Sequence, residues 1–402
     1  MDSKSIGKTI AALRKRIGLT QSELAERLNI SNKAVSKWEN GQGYPDISLF
    51  PALAALFGVS IDYLMLQKKG IAVAGNIIID VVKNIERYPE AGTLANITSV
   101  SSAVGGCAPN VGIDLAKMDP HLSVYTYGRV GNDENGRFLL SKLASNGINV
   151  DGVVYSKDQP TSFTDVMSVP GGERTFFHVR GANSEFSPED INVKMLNCDI
   201  FHIGYILLLD KFDAPDSEYG TVMARFLSRI QKEGILTSVD MVSDSGGKYG
   251  EKVLPALKYC DYLIVNELEI CGIFNLNSRC ENSEIDVDNV RLAMNMAADV
   301  GVTRKVIVHA KEAGFLLDVK TREFTSVSSL KIPKEEIKGS VGAGDAFCAG
   351  CLYGLYHHYR DQKILEYASA AAACNLFAAN SIDGMRSAEE INAIAAKYSR
   401  LS

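Results

Sequence analysis

The run Gly339-Ser340-Val341-Gly342-Ala343-Gly344-Asp345, continued by Ala346-Phe347-Cys348-Ala349-Gly350, is the segment best suited to chemistry in this chain. Side chains this small let backbone N–H groups converge on an anion at a helix N-terminus. An aspartate inside that first turn can accept the proton of an attacking hydroxyl. Such a loop suits phosphoryl transfer, where positioning and charge neutralisation dominate. It is not a P-loop, because no Gly-Lys-Ser/Thr follows.

A different chemistry is offered near the N-terminus. Residues 21–28 read as a helix, Asn29-Ile30-Ser31 as a turn and 32–40 as a second helix. Asn32, Lys33, Ser36 and Lys37 fall on the polar side of that second helix. Short polar and basic side chains there can hydrogen-bond base edges and phosphates in a major groove. Val35 and Trp38 read as core. Metal ligation finds little support. Cys348-Ala-Gly-Cys351 has CxxC spacing but no second ligand pair, and His121, His178, His202 and His309 are scattered.

The elements that must position these residues follow from periodicity. Ile6, Ile10, Leu13 and Ile17 recur at helical spacing, as do Leu49, Leu53 and Leu56. Thr20 with Glu23 makes a capping box, and Ser31 is a cap for the next helix. After Lys68-Lys69-Gly70 the period changes. Ile71–Asp80 is an apolar run that reads as one buried strand. Strands at 123–127, 199–203, 234–240, 261–265 and 305–309 alternate with helices at 110–118, 135–146, 217–233, 288–300, 344–359 and 363–379. This rhythm implies an α/β fold, with a mainly parallel sheet flanked by helices. Segments 92–103 and 152–180 are β-rich and polar-alternating, with a Pro170-Gly171-Gly172 turn, and suggest a small separate β lid. Residues 274–287 read as a surface insertion.

Composition agrees with two modules. The chain has 402 residues, 46% hydrophobic, and a formal net charge of −6. Residues 1–70 carry ten Lys/Arg against six Asp/Glu, and the rest 32 against 42. The basic head suits nucleic acid and the acidic body does not. The eight cysteines are dispersed, the first 18 residues have no apolar signal core, and no stretch approaches 18 apolar residues. These features read as a reduced, soluble, cytoplasmic protein without membrane contact.

The stretch from Leu19 to Asp46 resembles the Cro/C1-type helix-turn-helix family over residues 5–66. That resemblance implies an all-α DNA-binding module in 1–66, dimeric binding, Gln21 on a backbone phosphate, and Asn32, Lys33, Ser36 and Lys37 facing the groove. From Ile71 onward, Val341–Gly350 resembles the second signature of ribokinase-like (PfkB) carbohydrate kinases. Gly105-Gly106-Cys107-Ala108-Pro109-Asn110, with Gly128-Arg-Val-Gly131 after it, resembles the first. The resemblance implies a kinase domain at 71–402 behind a linker at 67–70, using ATP and Mg²⁺. It implies Asp345 as catalytic base and Gly342, Ala343 and Gly344 as the anion hole. Asp80, Asn76, Gly105, Gly106 and Asn110 would hold the sugar, with Arg180 reaching substrate or phosphate.

Asn266 and Glu269 match the Asn-x-x-Glu element, whose Glu269 carboxylate would organise Mg²⁺ through water. Gly314 and Asn375 would flank the nucleotide, with Ser340 on the phosphate loop. The chain departs from the pattern twice: Gly339-Ser340 stands for the usual Asp-Thr, and Ala310 for a usual Gly. The resemblance leaves open a sugar kinase, a nucleoside kinase, and a transcription regulator whose kinase fold senses a ligand.

Overall fold

The computed structural model describes residues 3–59, 61–66, 69–169, 174–243 and 249–401. The expected turn Pro170–Gly172 and positions 67 and 68 of the expected linker lie outside the described residues, as does Glu173 of the lid hairpin.

The head is five helices: α1 (Ser3–Arg16), α2 (Gln21–Arg27), α3 (Asn32–Glu39), α4 (Phe50–Phe57) and α5 (Ile61–Leu66). The Thr20–Glu23 capping box starts α2, and the Ser31 hydroxyl accepts from the Ala34 amide to start α3. Ile6, Ile10, Leu24, Val35, Trp38 and Leu53 close one buried cluster. A Cβ on Gly7 would stand 1.8 Å from the Trp38 carbonyl oxygen, so only glycine lets α1 cross α3 this closely. Arg14 binds both carboxylate oxygens of Glu39, at 2.6 and 2.9 Å, tying α1 to α3.

The body has fifteen strands among the described residues. They are β1 (Ile71–Gly75), β2 (Ile78–Ile85), β3 (Ile97–Gly105), β4 (Val124–Gly131), β5 (Asn149–Ser156), β6 (Phe163–Ser168), β7 (Arg174–Val179), β8 (Ile200–Ile206), β9 (Pro215–Asp216), β10 (Gly220–Thr221), β11 (Leu236–Met241), β12 (Tyr262–Asn266), β13 (Lys305–His309), β14 (Ala313–Asp318) and β15 (Phe324–Ser328). The main sheet runs β15-β14-β13-β12-β11-β8-β1-β4-β5, parallel from β5 to β13 and antiparallel beyond.

Helices cover both faces. On one side α6 (Cys107–Met118), α7 (Glu134–Ser145), α13 (Ala343–Tyr356), α14 (Asp361–Asn375) and α15 (Ala388–Lys397) share one core cluster. On the other, α8 (Val222–Lys232), α9 (Tyr249–Lys252), α10 (Leu254–Leu257), α11 (Glu267–Ile273) and α12 (Val287–Val300) share another. Strands buried on both faces need continuous apolar sequence, which is why β1, β8 and β12 carry no clear alternation.

Three sequence expectations change. The run Ile71–Asp80 is two strands in different sheets. Gly75, at φ 137°, ends β1, and the Asn183 carboxamide pairs with both the N–H and the carbonyl of Ile77, at 3.2 Å each. Asp80 therefore sits inside β2 and not at the end of the first strand. The lid is the four-stranded sheet β3-β2-β6-β7, and residues 152–156 belong instead to β5 on the edge of the main sheet, parallel to β4. The helix expected at 217–233 starts at Val222, because a β9–β10 hairpin precedes it and Thr221 caps it. The 274–287 segment lies mostly at the surface, with Arg279 bonding Glu267 and Glu312 at 2.5 and 2.7 Å.

Candidate active site

The glycine loop ends at Gly342, which takes φ 81° and serves as the N-cap of α13. A Cβ there would stand 2.6 Å from Ser381 Cβ, so both conformation and space demand glycine. Asp345, in the first turn of α13, is 7% exposed. Tyr205 Oη donates to its Oδ1 at 2.6 Å, and Asn110 Nδ2 donates to its Oδ2 at 2.8 Å. Burial raises this carboxyl above the usual range, while the two hydrogen bonds pull it back. The result is a buried, oriented carboxylate of raised basicity. Asn110, read as a sugar-pocket residue, is thus spent partly on Asp345. Its Oδ1 lies 2.9 Å from Ser381 Oγ.

Asp80 stands nearby on the lid sheet. Burial raises its carboxyl, a hydrogen bond from Thr164 lowers it, and the charge of Asp345 raises it. A Cβ on Gly105 would fall 2.3 Å from Asp80 Oδ2, and one on Gly106, at φ 92°, would fall 2.3 Å from the Asn76 carbonyl oxygen. The two glycines give Asp80 and Asn76 their room. Asn76 is 2% exposed, and its Oδ1 has no hydrogen-bond partner among the described residues. A buried acceptor left open this way costs stability unless a donor fills it. Arg180 is exposed, and its side chain pairs with Asp210 Oδ1 at 3.0 Å and donates to the Leu208 carbonyl at 3.3 Å.

Asn266 and Glu269 close a reciprocal capping box at the start of α11. Asn266 Oδ1 accepts from the Glu269 amide at 2.8 Å, and Glu269 Oε2 accepts from the Asn266 amide at 2.9 Å. Ser243 Oγ donates to Glu269 Oε1 at 2.9 Å. Asp240, at the end of β11, is buried beside Glu269. Burial first, and then the charges of Glu269 and Asp345, push its carboxyl well above the usual range. Buried all-oxygen donors that repel one another fit a hard dication nearby.

The expected nucleotide residues are placed differently from one another. Ser340 is exposed on the loop. Asn375 donates to the Val341 carbonyl at 2.6 Å, so it holds the phosphate loop from α14. Gly314 on β14 is buried against Phe347, with a would-be Cβ 3.0 Å from the ring, which makes it a packing glycine. Gly339 lies against the carbonyl oxygens of Ala378 and Ala379, 3.0 and 3.2 Å from a would-be Cβ.

In the head, Asn32, Lys33 and Lys37 are exposed along α3, and Ser36 is half-buried. Gln21 Nε2 donates to Glu39 Oε2 at 2.7 Å. One of its amide hydrogens is therefore engaged inside the head.

Sequence reasoning missed Tyr205, Ser381, Asp240 and His309. None lies in a glycine motif. Tyr205 and Asp240 come near the C-terminal ends of apolar parallel strands, which is where open α/β sheets place their sites. His309 also ends a strand, and a Cβ on Gly344 would come 3.3 Å from its ring. Burial drops its imidazole to about 4, so it is neutral.

The comparisons agree with this architecture. Residues 68–388 match the family described as pfkB family carbohydrate kinase, and residues 10–64 match the helix-turn-helix family. The chain is 27% identical over 326 residues to the ATP-dependent ribose-1-phosphate kinase of Halopiger xanaduensis, covering 80% of this chain and 96% of that one. It is 26% identical over 334 residues to the 5-dehydro-2-deoxygluconokinase of Geobacillus kaustophilus, covering 79% and 90%. The solved Arabidopsis thaliana ribokinase complexed with ribose and ATP superposes with a TM-score of 0.68 at 22% identity, covering 83% and 100%. Among the described residues, no helix is long and apolar enough to cross a membrane.

Proposed function

Because the chain belongs to the pfkB family of carbohydrate kinases and carries a helix-turn-helix segment, we propose that it transfers the γ-phosphoryl group of ATP to a hydroxyl of a small sugar and also binds DNA. The observation that carries the first half is Asp345, a buried carboxylate in the first turn of α13, held by Tyr205 and Asn110 beside Gly342.

Asp345 takes the proton from the attacking hydroxyl. Tyr205 and Asn110 fix the carboxylate, and burial keeps it basic enough to act. The amides of Gly342, Ala343 and Gly344, at the α13 N-terminus, receive the transferring phosphoryl charge. Asp80 accepts from sugar hydroxyls. The open Oδ1 of Asn76 accepts another, and Gly105 and Gly106 let the sugar lie close to the backbone. Arg180 joins the substrate by exchanging Asp210 for it.

Glu269, aligned by Asn266 and Ser243, would hold Mg²⁺ through water, and that ion would supply charge neutralisation at the phosphates. Ser340, Gly314 and Asn375 form the nucleotide side, Gly314 by packing and Asn375 by holding the loop. The domain limits we adopt are 1–66, a link at 67–70, and 71–402. In the head, Asn32, Lys33, Ser36 and Lys37 read the groove, and Gln21 uses its remaining donor on a phosphate. The chain works as a cytoplasmic homodimer, which the exposed Ile97, Val100, Phe177 and Val179 of the lid sheet favour.

ATP consumption over a panel of sugars, sugar phosphates and nucleosides tests the enzyme half, and a DNA mobility shift with and without each compound tests the other. Turnover on a sugar supports the proposal. Turnover on nucleosides alone would move the substrate class. A ligand-dependent shift without any turnover would make the body a sensor.

A further inference from the structure

Beside Asp345 lies a group of four residues, of which Cys107, His202 and Cys348 have no part in the kinase reading and Asp240 also stands beside Glu269. Cys107 Sγ, His202 and an Asp240 carboxylate oxygen offer ligand atoms that all lie within 4.8 Å of one another, and all three residues are buried. Cys107 Sγ is 3.4 Å from His202 Nε2. Cys348 Sγ is 3.6 Å from the same nitrogen. The four residues come from four elements: the start of α6, the middle of β8, the end of β11 and the second turn of α13.

The arrangement has the features of a built ligand set. A tetrahedral ion with bonds of about 2.0–2.3 Å separates its ligand atoms by roughly 3.3–3.8 Å. Both sulfur–nitrogen distances fall in that range. The far nitrogen, His202 Nδ1, lies 3.0 Å from Ser238 Oγ, which leaves Nε2 facing the sulfurs. A second contact of this kind is what orients a metal-bound imidazole. The Met241 amide donates to Asp240 Oδ1 at 2.7 Å, fixing that carboxylate. The space is reserved by Gly204, since a Cβ there would stand 2.6 Å from Cys107 Sγ and 3.4 Å from Asp240 Cβ. Plain apolar packing explains a buried cysteine, but not a histidine nitrogen within 3.6 Å of two cysteine sulfurs with an aspartate oxygen beside one of them. The CxxC spacing carries no sign of this arrangement, in which Cys348 meets His202 across the fold.

We propose that Cys107, His202 and Cys348, with Asp240 as the oxygen ligand, form a site for a thiolate-preferring divalent ion of the zinc class. Two thiolates and an imidazole select such an ion over Mg²⁺, which prefers hard oxygen donors. Bound there, the ion would tie α6, β8, β11 and α13 together beside Asp345.

The test uses the full chain, stripped with a chelator under a thiol-free reductant and titrated with Co²⁺. The expected result is one tight equivalent per chain with thiolate-to-cobalt charge-transfer absorption, displaced by one equivalent of Zn²⁺ and not by excess Mg²⁺. Cys107→Ser and Cys348→Ser should each weaken binding by more than about 100-fold, as should the isosteric Asp240→Asn. Cys280→Ser, at the exposed thiol, and Cys351→Ser should bind as the native chain does. A cooperative melt confirms that each variant is folded, and Asp240→Asn carries the test if a cysteine variant is not. Absence of a tight equivalent in the native chain would overturn the proposal. So would charge transfer that survives in both Cys107→Ser and Cys348→Ser, or that disappears in Cys280→Ser or Cys351→Ser.

Discussion

Two helix starts in this body look alike and are built differently. At α13 a buried Asp345 sits in the first turn after a left-handed glycine; at α11 a buried Glu269 sits in the first turn after Asn266. Burial raises both carboxyls. Asp345, however, is held by residues far away in sequence, Tyr205 at 2.6 Å and Asn110 at 2.8 Å. Glu269 is held mainly by its own turn through the capping box, with Ser243 added. A locally satisfied carboxylate does structural work whether or not it meets a ligand. One satisfied only by distant side chains has been positioned by the whole fold, and is free of any duty to its own helix. In the mechanism we propose, the difference separates the group that would act on substrate from the one that would align a metal through water.

Substitutions can break or sharpen that contrast. Asp345→Asn should have the largest effect, lowering phosphoryl transfer on the order of 10³-fold while sugar affinity by calorimetry stays within a few-fold. Full activity in this variant would remove Asp345 as the base. Glu269→Gln keeps an acceptor for the Asn266 amide but loses the charge. The Mg²⁺ concentration for half-maximal activity should rise about 10–100-fold, with a melting temperature near that of the native chain.

Tyr205→Phe removes one donor to the Asp345 carboxylate. Asp345 must be ionised to accept a proton, so activity falls as pH drops through its raised value. Losing the Tyr205 hydrogen bond raises that value further, and the acid limb of kcat/KM should move up by about one pH unit. A limb that stays in place would detach Tyr205 from the base. Asn266→Ala should have the smallest effect, costing about 1 kcal/mol of stability through the lost cap, read from denaturant midpoints. If it instead abolished turnover at saturating Mg²⁺, the two helix starts would be functionally equivalent and the contrast would fail.

Much of this was legible in the sequence because it is local. The capping residues Thr20, Glu23 and Ser31, the core positions Val35 and Trp38, and the glycine turn before Asp345 all act within a few residues of themselves. The parallel sheet followed from apolar runs alternating with helical periods. Where the reading failed, a distant partner decided. In the run Ile71–Asp80, Gly75-Asn76 permits a break without announcing it, and Asn183, more than a hundred residues on, captures Ile77 as the chain passes into the second sheet. Gly314, which the resemblance puts beside the nucleotide, packs against Phe347, a neighbour that no spacing in the sequence announces.

By itself, then, the sequence determined the residue types at the site, the helix-turn-helix head, the charge difference between head and body, and the alternating elements of the body. All of these depend on neighbours along the chain and on burial period. Only the tertiary structure decided that Asn110 donates to Asp345, and that Tyr205 and Asp240 meet beside the same carboxylate. It alone brought Cys107, His202 and Cys348 together. The physical reason is the parallel sheet: each crossover carries the chain away and back, so strand ends separated by tens of residues become neighbours. No spacing in the sequence records which ones meet.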